Sequence, residues 1–290
     1  MNCTLFITRN SCSDFDISYH KLKKSISFLH EQVLFMCDHG FKVMVCDDIY
    51  GSWTWRGHSL YELWQDCELD NDLKGMLNNI LYERVESTSD KSNDIKLGDN
   101  DTSCFGLLST SLSTMVDSAF LVYPGHSSYR YVLEYINRST LSSDEFLDSC
   151  SLIMDNIYVL DNCKTSIKPI YKDFKHAILH HLDVLNVHLA KERYNGLRRD
   201  LLLKKVSQIA HLPEDITLEG DAKRKEDLTF SFSNGNGPSH RICCEPHMKL
   251  CHSDQYPGDG EYYFHRIYFH EGQKNVCDGK IVVGHIGKHL

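Results

Sequence analysis

No apolar run in this chain approaches the roughly 18 residues a membrane-crossing helix needs. The opening residues, MNCTLFITRNSCSDFD, lack the basic flank and long apolar block of a secretory signal. A soluble, cytoplasmic protein with no membrane partner is the expectation. Positive charge is scarce too: 31 Lys and Arg stand against 40 Asp and Glu, a formal charge of −9. That balance excludes broad electrostatic capture of nucleic acid, but not a small basic site that meets a few phosphates or is handed its substrate by a partner. Internal repeats are absent. A disulfide framework is not expected either. The 12 cysteines are scattered over 290 residues, several inside apolar runs such as VLFMC and VMVC, which suits reduced, buried thiols.

The hydrophobic share, 41%, is ordinary for a globular chain and large enough for a sizeable core. TLFITRN reads as a short buried strand. Leu22, Ile26, Leu29, Val33 and Met36 recur at helical spacing, Gly40 is the stop, and FKVMVCDDIYG follows as a second strand. Strand–helix–strand order of this kind predicts an α/β domain with a partly parallel sheet. Ser59 and Glu62 form a capping box at the start of a helix, and the three tryptophans read as core. Residues 86–103 read as an exposed polar loop. AFLVYPG is a strand with a turn, SYRYVLEYI a helix, and SLIMDNIYVLDN either a strand or a buried helix.

From Tyr171 to His211 the pattern is helical, with Phe174, Ile178, Leu182, Leu185 and Leu189 on one stripe. His176 and His180 are four apart but lack the intervening Glu of HExxH, so ordinary helix histidines are expected. Arg198, Arg199, Lys204 and Lys205 read as a solvated basic face, and Pro213 ends the helix. LTFSF, RICCEP, YYFHRIYF and GKIVVGHI are then short aromatic or β-branched strands separated by turn sequences. The expected architecture is α/β, or α+β overall. An α/β domain over 1–165 serves as sensor or partner-binding part, 166–212 is a helical connector, and 213–290 is a small, mostly antiparallel β-domain.

Seven of the 17 histidines lie in the last 51 residues, which makes that segment the candidate site. If CCEPHMKL, 243–250, is extended, Cys243, Glu245, His247 and Lys249 project from one face about 7 Å apart, while Cys244, Pro246, Met248 and Leu250 face a core. Pro246 argues for an edge strand or a bulge. Cys244, His247, Cys251 and His252 have the spacing for a zinc knuckle but lack its glycine turn, and no metal or cofactor is expected. In YYFHRIYF, Tyr262, Phe264, Arg266 and Tyr268 share a face, so Arg266 is either a snorkelling surface residue or a phosphate clamp between stacking rings. Near the end, Ile281, Val283 and His285 share a face, and Gly284 and Gly287 remove bulk where a backbone meets a ligand.

The ending HRIYF…GKIVVGHIGKHL resembles the closing hairpin of RelE-like bacterial ribonuclease toxins, and also the ending of bacterial proteins linked to phage defence. The toxin likeness implies a small sheet packed on helices and metal-independent RNA cleavage. It places Arg266 and Lys249 in phosphate-binding roles and His285 or His289 in an acid–base role. The long N-terminal part and the Glu245-x-His247-x-Lys249 pattern depart from that family. RNA carries its own nucleophile, so cleavage needs a base (His247 or Glu245), an acid (His285 or His289) and cations (Lys249, Arg266). The partner expected is nucleic acid, RNA before DNA, with a protein such as an ATPase as a further partner. Two alternatives stay open: a magnesium-dependent DNA nuclease built on Glu245 and Lys249, and a non-catalytic partner or sensor subunit of a defence complex.

Overall fold

The structure, a computed structural model, describes residues 4–7, 17–65, 69–89, 104–108, 121–122, 128–220, 222–233, 239–250, 264–274 and 276–290. The fold is α/β, and the chain divides into two compact units, Met1–Val132 and Leu133–Leu290. None of the described helices is long and apolar enough to cross a membrane.

The first unit holds a parallel five-stranded sheet. β1 (Thr4–Ile7) lies at its centre, α1 (Tyr19–Asp38) follows, and β2 (Lys42–Cys46) pairs with β1. With β3 (Glu86–Thr88), β4 (Cys104–Leu108) and β5 (Leu121–Val122) the spatial order is β3-β2-β1-β4-β5. The predicted stripe of α1 is the buried one, from Leu22 through Met36, and each fully buried aliphatic side chain there contributes about 1.5–3 kcal/mol. Gly40, at φ +75, closes the helix. The Ser59–Glu62 capping box is formed, with the Ser59 amide donating to Glu62 at 2.7 Å, and Trp53 and Trp55 are core residues. The expected loop from 86 needs correction: Glu86–Thr88 is an edge strand, because its backbone completes the ladder of β2 although its side chains are polar. Residues 90–103 lie outside the described set.

The second unit resolves the ambiguous SLIMDNIYVLDN into both elements. Helix α2 (Ser143–Ile153) ends there and β6 (Ile157–Val159) begins four residues later. α3 (Asn162–Ser166), α4 (Tyr171–Val184) and α5 (Arg199–Ile209) follow. β7 (Thr217–Leu218), a hairpin of β8 (Thr229–Ser233) and β9 (Ser239–Cys243), then β10 (Pro246–Lys249), β11 (His265–His270) and β12 (Ile281–Lys288) complete it. The main sheet runs β6-β12-β11-β10-β7, antiparallel except that β6 lies parallel to β12. The expected boundaries at 165 and 213 therefore fall inside one unit: β6 and the helices after it build the same sheet and core as the C-terminal strands.

Each face of this sheet has its own cover. Met248, Ile267, Phe269, Val283 and Ile286 are buried, and on that side Phe174 of α4 meets the His265 ring edge-on at 4.8 Å. After α4 the helix widens into a π turn over Leu185–Leu189. Its Asn186 accepts from the Asn156 amide and its carbonyl takes the Asn156 side chain, both at 3.0 Å, which pins the chain entering β6. On the other face Leu228, just before the hairpin, and Ile242 within it pack with Cys244, Tyr268 and Val282. Cys46, Cys150, Cys163, Cys244 and Cys277 are buried free thiols, and burial pushes the Cys163 thiol up to about 12.

Candidate functional site

In a paired antiparallel ladder, residues directly opposite each other project to the same face. Thr217, His247, Tyr268 and His285 are successive partners across β7, β10, β11 and β12, and Lys249, Arg266 and Gly287 form the neighbouring row. His247, Lys249, Arg266 and His285 thus share one side of a pleated sheet, and His289 joins them. Tyr268 is the hub. Its ring centroid lies 5.2 Å from that of His247, 5.9 Å from His285 and 6.3 Å from His289. Its hydroxyl accepts from Arg266 Nη1 at 3.4 Å.

The register at the end of β11 moves from Tyr268↔His285 to Phe269↔Val283, so Gly284 is an extra residue. The bulge rotates His285 to the face opposite Val283, correcting the expected face of Ile281, Val283 and His285. The two glycines are also packed by protein, not held open for a ligand. A Cβ on Gly284 would sit 2.6 Å from the Phe230 ring and 2.7 Å from Cys244 Sγ, and one on Gly287 would sit 2.8 Å from the Ser166 carbonyl.

Glu245 departs from the expected row. The strand breaks at Cys244–Glu245 as the chain passes from hairpin to main sheet. The carboxylate is taken by Arg199 Nη1 at 2.9 Å and Lys225 Nζ at 3.3 Å. Of the basic face expected to be solvated, Arg198 and Lys204 are exposed, but Arg199 is engaged, since it also grips both oxygens of Glu271, at 2.5 and 3.0 Å. Cys244 is buried among apolar side chains, which disfavours its part in a zinc knuckle; Cys251, His252 and Tyr262 lie outside the described residues. Among the described residues no group of three or more His, Cys, Asp or Glu is placed to hold a metal ion.

The carboxylate that does meet the cluster is Glu219, one residue past β7. Its Oε2 lies 3.9 Å from Arg266 Nη1, 3.9 Å from Arg224 Nη1 and 4.0 Å from His289 Nε2. Arg224 comes from the short 3₁₀ turn Ala222–Lys225 and stands 3.1 Å from His289 Nε2. His289 Nδ1 lies 2.6 Å from the Leu290 carbonyl, an acceptor to which an Nδ1–H donates; Arg224 Nη1 also stands 3.2 Å from Nδ1, and in that tautomer Nε2 is the nitrogen that accepts from Arg224. Burial, and next the Arg266 charge, hold His289 below the ordinary imidazole range. His285 is lowered by burial and bonded through Nε2 to the Lys288 carbonyl at 2.9 Å, so backbone occupies it. Lys249 Nζ pairs with Glu214 at 3.4 Å. His247 is only 4% exposed and its Nε2 is bonded to Thr217 Oγ1 at 3.0 Å, which makes it a support beneath the site.

Glu219 and Arg224 belong to LEGDAKRKED, where neither periodicity nor a motif marks them. The one available signal is a basic triplet beside the short strand Thr217–Leu218. No protein-family model, curated protein or solved structure matches this chain, so function is read from the geometry of these side chains.

Burial holds two imidazoles of this unit far below the usual value of 6.5: His181 on α4 and His247 both fall to about 4, the Arg266 charge contributing at His247. Folded, both stay neutral in the window where an unfolded imidazole is protonated. Unfolding between pH 6.5 and about 4 therefore takes up protons, and stability falls as pH falls through that window, then levels off. Urea unfolding followed at several pH values should show this slope, and His181→Gln should flatten it. An unchanged slope in that variant would place the proton uptake elsewhere.

Proposed function

We propose that residues 133–290 form a metal-independent endoribonuclease. The observation that carries this reading is the position of Glu219, within about 4 Å of two guanidinium groups and one imidazole on a half-buried sheet face. Arg266 and the more exposed Arg224 hold the phosphate, and the burial of Arg266 strengthens its grip on the charge that develops at phosphorus. Glu219 takes the proton of the ribose 2′-hydroxyl. The 2′-oxygen attacks phosphorus, the bond to the 5′-oxygen breaks, and His289, protonated at Nε2, gives its proton to that leaving oxygen. The products are a 2′,3′-cyclic phosphate and a 5′-hydroxyl. A bound phosphate opposes the effect of Arg266 on His289 and favours the imidazolium that the last step needs. Tyr268 and His247 act as positioning residues, Tyr268 through its bond to Arg266.

Glu219 replaces Glu245 as base, and His289, not His285, is the acid. The magnesium-dependent alternative loses ground because Glu245 faces two cations. The test is incubation of the purified protein with labelled RNA and with the same sequence as DNA, with and without EDTA. RNA cut to cyclic-phosphate ends in the presence of EDTA, with DNA intact, is the expected result. Cleavage that needs magnesium, or intact RNA throughout, would overturn the proposal.

A further inference from the structure

A cleft of about 810 Å³ opens beside the Glu219 cluster in the same unit, lined by residues after α4, by β9 and by the β11–β12 connection. Its size falls within the range of small-molecule sites, roughly 300–1,000 Å³. The floor is the ion-pair network in which Arg199 bridges Glu271 and Glu245. These carboxylates keep lone pairs beyond those that Arg199 and, at Glu245, Lys225 use, so they can accept from ring or amino N–H groups. The rim offers a different chemistry. Tyr194 is 75% exposed, and Arg193 lies against its ring with the guanidinium carbon 4.7 Å from the centroid. Arg241 is mostly exposed and pairs with Glu226, itself exposed, and such surface pairs are weak and readily exchanged for a phosphate. Lys274 adds a second exposed cation at the rim.

A flat, cation-backed ring, carboxylate acceptors below it and exchangeable cations beside it match a base joined to a phosphate. The cleft also adjoins the cluster through the backbone. The Glu219 amide donates to the Glu245 carbonyl at 3.3 Å, and the consecutive residues Arg224 and Lys225 reach Glu219 and Glu245 respectively. We propose that this cleft is a nucleotide subsite, in which Tyr194 stacks the base and Arg241 and Lys274 meet a phosphate of the strand cut at Glu219. The strand assignment rests on the nuclease reading; the nucleotide chemistry of the cleft does not.

The test uses equilibrium binding, so cleavage is not required. Adenosine and guanosine 5′-monophosphate are titrated by calorimetry. A fluorescein-labelled mixed-sequence DNA oligonucleotide, which has no 2′-hydroxyl to react, is followed by anisotropy. Tyr194→Ala and Arg241→Ala alter exposed side chains and should leave the fold intact. Tyr194→Ala is expected to raise the Kd for both probes about tenfold, and Arg241→Ala to weaken both and reduce their salt dependence. Arg266→Ala is expected to weaken the oligonucleotide and spare the mononucleotides. Unchanged mononucleotide affinity in Tyr194→Ala overturns the inference, and a loss confined to mononucleotides overturns the strand assignment. If Tyr194→Ala weakens both probes while RNA stays intact with wild-type protein, the cleft stands and the nuclease reading falls.

Discussion

Changing Glu219 to Gln is expected to lower kcat for RNA cleavage by about 10²- to 10⁴-fold, the usual contribution of a positioned general base. KM should stay level or fall. The amide has the carboxylate's size but neither its charge nor its basicity, and Arg224 and Arg266 lose a competitor for the phosphate they share. That split, slower chemistry with undiminished binding, separates a base from a residue that merely holds the fold, whose loss would raise KM and lower the urea midpoint together. The pH profile adds a second signature. His289 must be protonated to act as the acid, and burial with the Arg266 charge lowers its proton affinity. In the free enzyme, which kcat/KM reports, the rate should therefore decline as pH rises through a value below the ordinary imidazole range, and His289→Ala should lose that limb. Full activity in Glu219→Gln would remove the carboxylate from the mechanism.

The largest stability effect is expected at Gly272, in the connection between β11 and β12. Its φ of +101 lies outside the small left-handed region that other residues tolerate. A Cβ there would run into Arg193 Nη1 and come within 2.5 Å of the Gly279 carbonyl and 2.9 Å of the Lys280 carbonyl. Little can yield. Arg193 Nη1 is the clasp of this loop, donating to the Glu271 carbonyl at 2.8 Å and to the Gly279 carbonyl at 2.6 Å. Backbone strain of about 1–3 kcal/mol and overpacking of similar size combine to a loss of about 2–6 kcal/mol for Gly272→Ala. In urea this is a midpoint lowered by about 1 M or more. Gly196, at φ +68 with nothing within 4 Å of a Cβ, is the control, and Ala there should cost only about 1 kcal/mol. Equal losses at the two positions would mean that φ alone, and not the Arg193 clasp, sets the cost. Because Gly272 also lines the cleft, Gly272→Ala should disturb nucleotide binding as well.

Elements with strong internal periodicity were readable directly. The α1 stripe, the Ser59 capping box, the α4 stripe and the strand character of IVVGHI all depend on neighbours within a turn or a few residues, and the side-chain pattern there matches the burial. The shared face of His247 and Lys249 followed from period-two alternation in the same way, whereas bringing Arg266 onto it took the strand register. Glu245 did not, because alternation holds only while the strand continues, and the change of sheet at Cys244 ends it. The edge strand Glu86–Thr88 escaped because its polar side chains gave no pattern, while its pairing is made by the backbone.

Composition and local spacing were enough to settle the fold class, the principal helices and strands, and the concentration of imidazoles near the end of the chain. The working cluster needed the folded chain. Glu219 reaches Arg266 across 47 positions and His289 across 70, and whether two such groups face each other depends on strand register and on the single-residue bulge at Gly284. Register is chosen by the packing of a whole sheet between its helices and its hairpin. No local window contains that information, since one residue of slip sends every side chain to the opposite face.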